Sequence, residues 1–121
     1  MKREETWEII RRIGWKKRDF SVPKTVRFVK ALFHDLPAVE REFVEEVYVF
    51  QIALYEEILG ADKKGVIGSQ DCLRALTWHY VGLGRKAFEK AFANPKKAIK
   101  RYREGNFPSV EDSFQMVLHR I

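Results

Sequence analysis

Apolar residues along this chain recur at intervals of three and four rather than two, the period of helix faces. Trp7, Ile10 and Ile13 or Trp15 mark a first helix from about Arg3 to Ile13. Glu4, Glu5 and Glu8 stand early in it and Arg11 and Arg12 late, which suits the helix dipole, and Gly14 supplies a stop. Pro23 fits a first helical position, so a second helix is predicted to turn Val26, Val29, Phe33 and Leu36 inward. It should end near Asp35, because Pro37 disfavours helix in the residue before it. The strongest pattern lies at 38–59. Phe43, Val47, Phe50, Leu54 and Ile58 form one stripe, and Val44, Tyr48, Ile52, Tyr55 and Leu59 a second. A helix apolar on two faces belongs at the centre of a bundle.

Gly60 is expected to end that helix and to open a flexible loop at 60–68. Ser69 is a candidate N-cap for a helix carrying Leu73, Leu76, Tyr80 and Val81. Gly82 and Gly84 follow, and two glycines so close predict a break or a close helix crossing. The period resumes with Ala87, Phe88, Ala91 and Phe92, and Asn94-Pro95 opens a helix with Ala98, Ile99 and Tyr102, stopped by Gly105. Ser109 and Asp112 resemble a capping arrangement ahead of a last helix with Phe114, Val117, Leu118 and Ile121. The expectation is an all-α single domain over 1–121, a compact bundle of five or six helices around a central buried helix at about 38–59.

Composition agrees with a folded domain: 121 residues, 45% hydrophobic and 33% charged. One cysteine, Cys72, excludes an internal disulfide framework and fits a reducing compartment. The longest uncharged apolar run, 47–55, is far too short to span a membrane. No secretory leader is legible before Trp7. These features together predict a cytoplasmic protein. Five Asn and Gln against 40 charged residues is the balance of a thermophile's protein.

Charge changes the picture most. Residues 11–30 hold eight bases against Asp19, and residues 85–103 hold eight against Glu89, a net +7 in each, while 40–57 carries six acids and one base. Two such segments on one side of a bundle would attract phosphate. The candidate nucleic-acid-binding residues are Lys16, Lys17, Arg18, Lys96, Lys97, Lys100, Arg101 and Arg103. Spacings of three and four put Lys96, Lys100 and Arg103 on one side of their helix and Lys97 and Arg101 on the neighbouring side. Trp15, Phe20 and Tyr102 lie among these bases, either as stacking platforms or as core residues. The same bases also read as an ordinary solvated surface, or as a face that pairs with the acidic helix.

Among catalytic patterns, Arg74-Ala75-Leu76-Thr77-Trp78-His79 resembles the Arg-x4-6-His signature of HEPN-family helical ribonucleases. The resemblance implies metal-independent RNA cleavage by Arg74 and His79. Cys72, Ala75 and His79 resemble the Cys-x2-Cys-x3-His site of the alkylhydroperoxidase D group, but Ala75 stands where the resolving thiol is needed. No Glu-x-x-His or His-x-x-x-His occurs, so neither a di-iron nor a helical zinc site is expected. The stretch Gly60-Ala-Asp-Lys-Lys-Gly65 has the length of a phosphate-binding turn, yet Val66 and Ile67 replace the required Lys and Ser/Thr. The function expected is a small basic module binding RNA or DNA backbone, as a non-catalytic subunit of a nucleoprotein complex, with no cofactor. The alternatives are the HEPN-like ribonuclease and a protein-interaction or homo-oligomerisation module.

Overall fold

A computed structural model describes residues 3–18, 23–34, 36–104 and 114–120. The protein is all-α. Seven α-helices are present among the described residues: α1 (Arg3–Ile13), α2 (Pro23–Ala31), α3 (Pro37–Ala61), α4 (Gln70–Leu83), α5 (Arg85–Ala93), α6 (Pro95–Arg103) and α7 (Phe114–Arg120). A short 3-10 turn, Trp15–Lys17, follows α1. Phe20, Asp35, Gly105, Ser109, Asp112 and Ile121 lie outside the described residues.

Helix α3 is the axis of the bundle. Its 25 residues span about 37 Å at the helical rise per residue, and α1, α4, α5 and α6 all pack on it. Its first stripe is fully used, with Phe43, Val47, Leu54 and Ile58 wholly buried and Phe50 nearly so. The stripe joins two clusters. Phe43, Val47 and Phe50 pack with Trp7, Ile10, Val29, Trp78 and Phe114, whereas Leu54 and Ile58 pack with Ile67, Leu73, Leu76, Tyr80 and Ile99. At the junction the Gln51 amide donates to Thr77 Oγ1 at 2.9 Å, and that hydroxyl donates to the Arg74 carbonyl at 2.8 Å. The second stripe behaves differently. Val44, Tyr48 and Tyr55 are half-buried against the two clusters, with Tyr48 edge-on to Trp78 of α4 at 5.1 Å, whereas Ile52 and Leu59 are 52% and 54% exposed.

Local chemistry sets the ends. Gly14 takes a left-handed conformation at φ 57° and closes α1. Helix α2 stops at Ala31, earlier than the proline alone requires, and passes into a turn whose Leu32, Phe33 and His34 amides bond three residues back. Pro37 sits at the start of α3. Ser69 caps α4 by accepting from the Cys72 amide at 3.1 Å. The two glycines divide the two expected tasks. Gly84, at φ 114°, ends α4 and lets α5 begin as a separate helix. Gly82 stays helical and permits a close crossing: an added Cβ would lie 2.7 Å from both Phe114 Cβ and Trp15 Cε3.

Gly82→Ala should therefore lower stability by about 1–3 kcal/mol through overpacking, less whatever alanine restores in helix propensity. Gly60, on α3 with open space around it, is the control, and Gly60→Ala should raise stability by up to about 1 kcal/mol. Urea denaturation of both variants reads the opposite signs.

Candidate nucleic-acid interface

Asn94 starts α6, its side chain accepting from the Lys97 amide at 3.3 Å, and Pro95 takes the first helical position. Ala98 and Ile99 are buried and fix the rotation of the helix. Tyr102 is half-buried against the same cluster and shares a hydrogen bond with the Cys72 thiol. Every base of α6 is consequently left exposed. Lys100, Arg101 and Arg103 stand in its last turn, where cations favour the carbonyl end of the dipole.

The two neighbouring sides of α6 face two different concavities. Lys96, Lys100 and Arg103 line a cleft of about 530 Å³ together with Lys63, Lys64, Asp62, Ala61, Val66 and Ile99. Lys97 and Arg101 line a smaller groove of about 120 Å³ with Tyr80, Lys90 and Asn94. Arg101 also hydrogen-bonds Tyr80, whose hydroxyl pKa burial nevertheless raises. Among the described residues no ion pair engages a base of α6, whereas Arg11 pairs with Glu8, Arg74 with Asp71 and Arg85 with Glu89 within their own helices. Lys63 and Lys64 belong to the 60–65 stretch that fails the phosphate-binding-turn pattern, and their nearness to α6 is tertiary.

The other basic segment is placed by the turn after α1. Trp15 is buried under Gly82, so it is a core residue and not a stacking platform. Lys16 and Lys17 are exposed on the turn, with Lys16 Nζ 5.6 Å from the Trp15 ring centre. Arg18 has structural work. Its Nε donates to the Ile13 carbonyl at 2.7 Å, closing the end of α1, and its guanidinium lies 4.1 Å over the Phe28 ring. Each segment reaches α4 at a neighbouring residue: the Lys16 charge acts on His79, and Arg101 hydrogen-bonds Tyr80.

His79 is only 6% exposed, edge-on to Trp15 at 5.7 Å. Burial first, and the Lys16 charge second, push its pKa down to about 4. Arg74 is exposed and held by Asp71 at 3.7 Å. The two residues of the ribonuclease-like pattern thus occupy different environments, one at the surface and one beneath aromatic rings. Cys72 is half-buried, with Ser69 and then Tyr102 lowering its thiol pKa by hydrogen bonding. Ala75, three residues on, is buried at the position where the peroxidase site needs its second sulfur. Among the described residues no helix is long and apolar enough to cross a membrane.

No protein-family model matches the chain, and no curated protein or solved structure shows significant similarity to it.

A histidine whose folded pKa lies below its unfolded value binds its proton more readily in the unfolded chain. Its contribution is complete above about pH 6.5 and is lost as pH falls toward about 4. Over that window the protein should lose up to about 3 kcal/mol from this group. His79→Leu should flatten the difference between denaturation at pH 7 and pH 4.5, and an unchanged slope would refute this assignment.

Proposed function

We propose that the chain is a non-catalytic helical module that binds the phosphate backbone of nucleic acid, serving as a subunit of a nucleoprotein complex. Lys96, Lys97, Lys100, Arg101 and Arg103 make the main contacts, and Lys16 and Lys17 extend the track along α4. Arg18 positions the turn that carries those two lysines. The observation that supports this reading is the five exposed bases of α6, without a carboxylate partner among the described residues, set over two adjoining concavities. Arg and Lys arranged in this way release counterions from a polyanion, the dominant sequence-independent term in such binding.

The exposed stripe of α3 favours a second reading, self-association through Val49, Ile52 and Leu59, each more than 50% exposed. The two readings use different surfaces and separate in solution.

Five phosphate contacts imply that doubling the salt from about 0.1 M to 0.2 M weakens binding roughly ten- to twentyfold, with the slope set by about 0.7 per contact on single strands and 0.9 on duplex. Lys97→Ala with Lys100→Ala should reduce that slope by about 1.4–1.8. Flat salt dependence on single- and double-stranded RNA and DNA rules the reading out. For self-association, sedimentation at high concentration should show a dimer that Ile52→Glu dissociates; a monomeric parent protein removes the second reading.

A further inference from the structure

We infer that the larger cleft, between the 62–68 turn and α6, seats a short single-stranded stretch of nucleic acid, with Lys63 and Lys64 gripping phosphates opposite Lys96, Lys100 and Arg103. The inference rests on the proposed function and narrows it to one form of ligand at one place.

The turn is built to hold its lysines still. The Asp62 amide bonds the Ile58 carbonyl at 2.9 Å and ends α3, and the Asp62 carboxylate accepts from the Val66 and Ile67 amides at 2.8 and 3.1 Å. The Gly65 amide bonds the Asp62 carbonyl at 3.2 Å, with Gly65 at φ 65° completing the reversal. Ile67, 5% exposed, anchors the far end in the core. The segment expected from sequence to be a flexible loop is thus tied at both ends, and Lys63 and Lys64 project from a fixed backbone. Asp62 is the one carboxylate lining the cleft among the described residues, and two backbone N–H groups already engage it.

The opposite wall carries Lys96, Lys100 and Arg103, spread over about 10 Å of helix axis. Between the walls lies an apolar floor of Ala61, Val66 and Ile99. Phosphate alone has no use for such a floor, whereas the sugar and base faces of an unpaired strand do. A cleft of about 530 Å³ is the size that encloses a small organic ligand. A duplex instead is read by protein elements that protrude into its grooves, and a protein groove that tracks the backbone is the usual seat of single strands.

The test compares a labelled twelve-nucleotide oligouridine with a duplex of the same length by fluorescence anisotropy. Lys63→Ala with Lys64→Ala alters two exposed side chains and leaves the turn's hydrogen bonds in place. At about 0.1 M salt this pair should weaken single-strand binding roughly twentyfold and reduce the salt slope by about 1.4, with less than a twofold change on duplex. Asp62→Ala should reproduce the loss with both lysines present, and Asp62→Asn, whose single amide oxygen can keep one of the two backbone bonds, should lose less. A uridine tetranucleotide should displace the strand better than tripolyphosphate. Equal losses on strand and duplex, no loss on the strand, or displacement by tripolyphosphate alone would overturn the single-strand cleft while leaving backbone binding by Lys97 and Lys100 in force. Failure of the unaltered protein to bind any nucleic acid at low salt overturns both.

Discussion

The crossing at Gly82 organises this fold. A helix can receive two aromatic side chains against its backbone only where it lacks a Cβ, and Gly82 admits Trp15 from the turn after α1 and Phe114 from α7 at the same point. Trp15 and Phe114 meet edge-on at 6.1 Å, and Phe114 lies 6.4 Å from Trp78. One missing methyl group therefore ties the beginning and the end of the described chain to α4. It also roofs His79 with Trp15 and sets the exposed pair Lys16 and Lys17 above it.

Below that crossing, one buried polar pair, Gln51 and Thr77, is satisfied by hydrogen bonds. Gln51 and Thr77 join the two halves of the core at the point where the stripe of α3 passes from one cluster to the other. Left without its partner, either group would cost about 1–3 kcal/mol, so the pair fixes the register of α3 against α4 more strictly than apolar contact does. Asp62 plays the corresponding part at the far end of α3, trading a charge for two backbone donors in a tight reversal.

The charge distribution follows from how these elements are oriented. Arg11 and Arg85 find acids three or four residues away on their own helices, at exposed sites where such pairs contribute little. Helix α6 has no acid within its bounds, and its buried Ala98 and Ile99 leave all five bases on its outer sides. The same positive field appears in the core, where Lys16 helps keep His79 neutral. The acids of α3 lie beside its exposed apolar stripe, a surface of different character.

Helix positions were readable in the chain because a helix writes its buried face into local spacing. The stripe through Phe43, Val47, Phe50, Leu54 and Ile58, the cap at Ser69 and the division of the α6 bases into two sides all rest on neighbours three or four residues apart. The pattern could not reveal that Ile52 and Leu59 of the second stripe stay open, since they look as apolar as Val44, Tyr48 and Tyr55, which found partners. Nor could it separate Arg18, bound to Ile13 and Phe28, from Lys16 and Lys17 beside it, or Trp15 in the core from a ring at the surface. The cleft needed more still: Lys63 and Lys64 stand more than thirty residues from Lys96 in the chain, and only the packing of α6 against the end of α3 makes them face one another. Spacing determined which elements form and which side each buries; the assembled bundle decided which charges meet, because burial and proximity across helices depend on contacts that no local period records.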